Sequence, residues 1–142
     1  KEATKRLTTF LNLSTIDARY VSSDEPAYDN KKVELVPPVT VRIGLSVGND
    51  KFSASYQFSY VNEHYSDATN AVTHPHGIVG LIPSYNVMDI SLKYSINKFQ
   101  FEGGINNLTN RSYFTRRATG YPGPGIIPSP PRNFYIAAQI KL

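Results

Sequence analysis

The sequence predicts an all-β chain: an antiparallel up-and-down sheet of about six strands, forming part of the wall of a transmembrane β-barrel. Three observations lead there. Apolar and polar residues alternate with period two in five segments, the signature of a strand with two unlike faces. The connections between segments are alternately short and long, as in barrels with tight turns at one membrane surface and long loops at the other. Aromatic residues gather near both ends of the apolar face, where a membrane has its interfaces.

The first strand is expected within residues 7–22. Its phase shifts: Leu11 and Leu13 share one parity, and Ile16, Ala18 and Tyr20 share the other, so a β-bulge near Ser14 or Thr15 is expected. Residues 37–48 carry Val39, Val41, Ile43, Leu45 and Val47 against Thr40, Arg42, Gly44 and Ser46. Residues 51–66 carry Phe52, Ala54, Tyr56, Phe58 and Tyr60 against Ser53, Ser55, Gln57 and Ser59. Residues 84–95 oppose Met88, Ile90, Leu92 and Tyr94 to Asp89, Ser91, Lys93 and Ser95. Residues 98–107 oppose Phe99, Phe101, Gly103 and Ile105 to Gln100, Glu102, Gly104 and Asn106. The last segment opposes Phe134, Ile136, Ala138, Ile140 and Leu142 to Tyr135, Ala137, Gln139 and Lys141. Every charge in these five strands lies on the polar face.

Alternation alone also fits a soluble β-sandwich, which has one apolar face per sheet. Loop lengths discriminate. Gly48-Asn49-Asp50 and the turn near Asn97 are tight, whereas residues 23–36, 67–83 and 108–131 form long connections. With a periplasmic C-terminus, all three long loops fall outside and both tight turns inside. Each clear strand reaches the about 9–11 residues that a tilted membrane strand needs, more than the about 5–6 usual in soluble sheets. Phe52, Tyr94 and Phe99 sit beside the tight turns, and Tyr60, Phe134 and Tyr20 near the long loops.

Composition agrees. There is no cysteine among 142 residues, which excludes disulfides and thiolate metal sites. No run of apolar residues is long enough for a transmembrane helix. The net charge of +4 permits anionic partners without demanding nucleic acid. The N-terminal Lys1-Glu2-Ala3-Thr4-Lys5-Arg6 lacks the apolar core of a signal peptide, as expected of a segment from a longer precursor. Six strands cannot close a membrane barrel, which takes about eight or more. Residues 1–142 are therefore expected to be one portion of a larger barrel, a curved open sheet.

Residues Gly104-Ile105-Asn106-Asn107-Leu108-Thr109-Asn110-Arg111-Ser112-Tyr113-Phe114, followed by a loop and Pro131-Arg132-Asn133-Phe134-Tyr135-Ile136, carry a family resemblance. They are similar to the C-terminal signature of TonB-dependent outer-membrane receptors. In that family the penultimate strand ends in an Asn-Leu-x-Asn-x-x-Tyr-Phe-like run, and the closing strand begins near an Arg before an aromatic pair. The loop from Thr115 to Pro128 is similar to that of the ferric-citrate (FecA-like) siderophore receptors. The family's terminal Phe is here Leu142, and its N-terminal plug and TonB box are absent from this chain. The resemblance implies a bacterial outer-membrane location, no enzymatic activity and no bound cofactor. It also implies uptake of a ferric chelate, ferric citrate or another siderophore, through a barrel of roughly 22 strands holding its own plug and energised by TonB.

On this reading Arg116 and Arg117, in the longest loop, offer guanidiniums that match carboxylates bidentately. Pairing with loop acids or lipopolysaccharide phosphates is the alternative. Tyr113 and Tyr121 are candidates for the same vestibule, or for packing. His74-Pro75-His76 invites a metal reading, but no third ligand lies nearby in sequence and a surface loop is favoured. Arg42, Asp89, Lys93 and Glu102 are expected to face the lumen, where they either contact the plug through ion pairs or, as favoured, pair across strands, with Lys93 and Glu102 the obvious couple. The Gly- and Pro-rich run from Gly120 to Pro131 lacks the Lys-Ser/Thr ending and helix of a phosphate loop. The rival function is a soluble β-sandwich ligand- or carbohydrate-binding module.

Overall fold

The protein is described by a computed structural model covering residues 5–121 and 123–141. The features expected of Lys1 to Thr4, Pro122 and Leu142, including the terminal position of the last alternation, lie outside those residues. Six strands form one antiparallel sheet: β1 (Arg6–Thr15), β2 (Val39–Gly48), β3 (Phe52–Val61), β6 (Tyr85–Ile96), β7 (Phe99–Asn106) and β10 (Asn133–Ile140), adjacent in that order. Two small hairpins lie in the long loops: β4 (His64–Tyr65) with β5 (Leu81–Ile82), and β8 (Phe114–Ala118) with β9 (Gly125–Pro128).

The register joins the apolar residues into continuous rows. Leu7 pairs with Val47, Val47 with Ala54, Ala54 with Leu92, Leu92 with Gly103 and Gly103 with Ile136. A second row runs Leu11, Ile43, Phe58, Met88. Since side chains alternate sides, one row on a face commits the whole face. The polar face is built the same way, as in the row Ser46, Ser55, Ser91, Gly104, with Ser46 and Ser55 hydroxyls 3.0 Å apart.

The apolar face is uncovered. Leu11 is 70% exposed and Ile136 89%, and Ile82, in the loop hairpin, is the single buried hydrophobic among the described residues. A sandwich would bury this face beneath a second sheet. A bilayer covers it instead. Ten residues in β2 and in β3 at about 3.3 Å each, tilted by about 40°, span roughly the 25 Å apolar band of such barrels, whereas β7 and β10, with 8 residues each, are shorter than expected from the sequence.

The first strand differs from expectation. Its ladder with β2 runs unbroken from Arg6 to Thr15, with no bulge. The phase shift at Ile16 marks the end of the strand: beyond it Ala18 and Tyr20 belong to a loop. Tyr20 lies within that loop, packed near Tyr28 (6.3 Å) and donating its hydroxyl to Glu34 at 2.6 Å, so it is no part of an interfacial girdle. The turn-end aromatics do cluster: Phe52 pairs with Tyr94, Tyr94 with Phe101, and Phe99 stacks on Phe101 at 6.4 Å.

Two hairpin turns are tight. Asn49 Oδ1 accepts from the N–H groups of Lys51 and Phe52, both at 2.9 Å, which fixes the β2–β3 reversal. Asn97 turns β6 into β7 at φ 52°, a left-handed conformation that asparagine tolerates.

On the polar face two aromatic rings lie over glycines of the neighbouring strand, Phe10 over Gly44 and Tyr135 over Gly104. The missing Cβ lets the ring lie flat along the sheet. Gly44→Ala in the intact barrel is expected to displace Phe10 and cost about 1–3 kcal/mol. Gly103→Ala faces the other way, its added carbon 3.5 Å from the Tyr135 carbonyl oxygen, and should be neutral. Urea unfolding followed by gel mobility tests this, and equal midpoints for the two variants would contradict it.

Candidate ligand site

All three long connections leave the same end of the sheet: L1 (residues 16–38), L2 (residues 62–84) and L3 (residues 107–132). They are tied together by hydrogen bonds between residues far apart in sequence. The Asn70 side chain accepts from the Lys32 N–H at 2.7 Å and donates to the Lys32 carbonyl at 2.8 Å, imitating a β-bridge. Lys31 Nζ donates to the Thr69 carbonyl at 2.6 Å, and Leu35 N–H to the Tyr65 carbonyl at 2.8 Å. Within L1, the Glu34 carboxylate raises the pKa of Tyr20 by accepting its proton in a hydrogen bond. That contribution to stability is complete below the unfolded value near 10 and is lost as pH rises through the higher folded value.

L3 is anchored at its root by Asn107, which is 2% exposed. Its backbone N–H donates to Asp89 Oδ1 at 2.8 Å, its Oδ1 accepts from Arg111 N–H at 2.8 Å, and its Nδ2 donates to the carbonyls of Arg111 and Pro130. Asn110 Oδ1 accepts from the Arg132 N–H at 3.0 Å. Both asparagines adopt φ 53°. The Asn-Leu-Thr-Asn run thus joins the start of L3 to its end. Asparagine is required because its side chain bonds in both directions and tolerates the left-handed backbone.

The four loop residues singled out by sequence go to different places. Arg117 is committed to the fold: its guanidinium donates to the carbonyls of Gly77 (2.8 Å) and Leu81 (3.0 Å) and lies 5.1 Å from the Phe114 ring. It pins the L2 hairpin to β8. Arg116, the next residue, is exposed. Tyr113 stacks on Tyr85 with centroids 4.6 Å apart. Tyr121 is fully exposed near the end of the β8–β9 hairpin. His74 and His76 rings lie 5.6 Å apart in L2.

Beneath these loops, on the polar face, lies a cleft of about 450 Å³. Asn12, Arg42, Ser59, Tyr85, Asp89 and Tyr113 line it. Asp89 is engaged by Asn107. Arg42 is exposed and has no side-chain hydrogen bond or ion pair among the described residues. The cleft therefore presents a free guanidinium, hydroxyl and amide groups and a stacked pair of phenols. Such a set suits an anion with carboxylate or phenolate oxygens.

The expected Lys93–Glu102 ion pair did not form. The two residues are directly opposite in the ladder, but the Glu102 carboxylate accepts from the Tyr135 hydroxyl at 2.9 Å. Sequence reasoning placed Arg42 on the polar face without marking it as a binding group, since nothing local shows whether a strand arginine has a partner. It missed Asn70 altogether; an asparagine in a Ser-Asp-Ala-Thr-Asn run suggests only a turn.

A family model described as "TonB dependent receptor-like, beta-barrel" matches residues 2–108. No curated protein matches the sequence. Among solved structures, the ferric citrate transporter FecA in its unliganded form aligns with a TM-score of 0.85 and 16% identity, over 94% of this chain and 21% of that one. The ferric-catecholate import receptor Fiu from E. coli K12, closed form, gives 0.76 and 20%, over 94% and 18%. The copper transporter OprC gives 0.72 and 16%, over 96% and 21%. The chain spans about a fifth of the length of these structures, and at these identities the likeness is one of fold.

Replacing Asn107 by Ala should destabilise the barrel by about 1–3 kcal/mol, because buried carbonyls lose their donor. Arg117→Ala should release the L2 hairpin, so that protease cuts between residues 66 and 80 faster while the unfolding midpoint moves less than for Asn107→Ala. Unchanged cleavage of L2 in the Arg117 variant would show that the hairpin is held by something else.

Proposed function

The chain belongs to the TonB-dependent receptor β-barrel family, and on that premise we propose that it supplies six consecutive strands and three external loops of a receptor that takes up a ferric chelate. Barrels of this family lie in the outer membrane of Gram-negative bacteria and are receptors, not enzymes. The open apolar face of the sheet is the surface that membrane covers.

The observation that carries the proposal is the cleft under the clasped loops with the unpaired Arg42 guanidinium. Ferric citrate is the cargo this arrangement favours, other siderophores being the remaining choice. Its carboxylates are hard anionic acceptors, and a planar guanidinium binds them through paired hydrogen bonds. The fold likeness to a ferric citrate transporter supports the same reading. Arg42 contacts the chelate from the wall, Tyr113 from L3, Arg116 and Tyr121 from the hairpin, and Arg117 acts by holding that hairpin in place. The iron arrives as cargo within its chelate. The remaining partners are the receptor's own plug in the lumen, TonB acting through the N-terminal part, and the lipid around the wall.

The test uses the full-length receptor. Arg42→Gln should weaken ferric citrate binding, followed by quenching of intrinsic fluorescence, by about tenfold, with the unfolding midpoint retained. Growth on ferric citrate as the limiting iron source should fall in parallel. Wild-type affinity in both Arg42→Gln and Arg116→Gln would remove this cleft as the binding site, and a wild-type receptor that does not bind ferric citrate would remove it as the cargo.

A further inference from the structure

A second concavity lies at the opposite end of the polar face, beside the tight turns, with a volume of about 390 Å³. Four cationic side chains line it: Arg6, Lys51, Lys93 and Lys141. They come from four places in the chain that the register brings together. Arg6 opens β1 opposite Gly48, Lys51 sits in the β2–β3 turn, and Lys93 pairs with Ser53. Lys141 follows β10, its backbone N–H donating to the Lys98 carbonyl at 2.8 Å.

The lining contains one acid, Asp50, already paired with Arg6 at 3.0 Å. Glu102, opposite Lys93, is held by the Tyr135 hydroxyl. Between the long cations lie the short groups Thr8, Ser46, Ser53, Ser95 and Gln100, which form a floor of neutral hydrogen-bonding groups.

We propose that this turn-end pocket is an anion-binding subsite, distinct from the loop-end cleft, that takes a small multiply charged solute bearing phosphate or carboxylate groups. Charge and size favour a small solute over an acidic protein segment. Four cations against one partnered acid leave a clear excess of positive charge. The hollow is of the volume usual for small-molecule sites, with hydroxyls recessed behind the cations to reach the oxygens of a compact ion. The site lies on the polar face of the sheet, beside the tight turns. In a receptor it would meet an anion at the periplasmic end of the lumen. The proposal needs the polar face to be the lumen face and is independent of which chelate enters at the other end.

The experiment titrates inorganic pyrophosphate into the full-length receptor in detergent at low ionic strength, by calorimetry. The double variant Lys93→Gln, Lys141→Gln should lose at least about tenfold in affinity. Lys93→Arg, which keeps the charge, should retain binding, and so should Lys98→Gln, which lies beside the pocket but outside its lining. Equal affinity in the double variant and the wild type would overturn the proposal. So would a wild type that fails to bind pyrophosphate while the double variant melts early, because an acidic side chain of the receptor itself would then fill the pocket. Gel mobility of the heated and unheated variants confirms that each is folded. Ferric citrate binding in the same samples separates failure here from failure of the cargo assignment.

Discussion

The ladder of six antiparallel strands ties every other feature to one constraint. Because side chains alternate strictly, a register without slips makes the sheet predominantly apolar on one side and predominantly polar on the other. Both consequences follow at once. The apolar side needs a covering that the chain does not supply, and hydrocarbon supplies it. The polar side is left to carry charges, glycine–aromatic pairs and both clefts. A single-residue slip would put Arg42, Asp89 and Lys93 into lipid, at a cost of several kcal/mol in total. The membrane thus opposes a slip of register in addition to the hydrogen bonds.

The loops obey a different rule. They lie outside the apolar band and cannot gain from burial in it, and Ile82 is the single fully buried apolar side chain among the described residues. Their order comes from side chains that bond to backbone: Asn70 to Lys32, Asn107 to Arg111 and Pro130, Arg117 to Gly77 and Leu81. Asparagine dominates because it combines two-way hydrogen bonding with a left-handed backbone. Of the six non-glycine residues at positive φ among the described residues, five are asparagine, the exception being Leu35. Leu35 sits where L1 bonds to Tyr65, so a strained backbone is held at the junction of two loops. Under the proposed function, loops tied in this way hold the cleft in shape before a ligand arrives, which lowers the cost of binding.

These two rules explain what could be read from the sequence. Period two is a local property, so the strands, their faces and the short–long rhythm were legible from residues such as Val39 to Val47. The end of β1 was not. A strand that stops and a strand that bulges both shift parity at Ile16, and only pairing with β2 separates them. The partners of loop side chains were also hidden, because they lie at separations such as 38 residues for Asn70 and Lys32 or 40 for Arg117 and Gly77. The motif Asn-Leu-Thr-Asn was visible as a resemblance, but its work, closing L3 on itself, rests on bonds to residues 22 and 23 positions away. Lys93 and Glu102 show the limit of pairwise reasoning. Their register was predictable, but the carboxylate's choice of Tyr135 depends on a third strand.

The arginines illustrate why exposure in a loop is a weaker sign of binding than freedom on a strand. A guanidinium has five donors in a fixed fork. Arg117 has already spent two of its nitrogens on carbonyls and its face on Phe114. Withdrawing it to hold a ligand would open the L2 hairpin, so part of the binding energy would go to replacing those bonds. Arg42 carries no such commitment and stands on β2, whose backbone is fixed by ladders on both sides. A charged group placed by a rigid strand keeps its direction without a ligand and loses little freedom on meeting one. Arg116 is free too, but it rides on a hairpin whose own position depends on Arg117. Under the proposed function the wall arginine holds an anionic cargo, Arg116 meets it from the hairpin, and Arg117 keeps that hairpin in place.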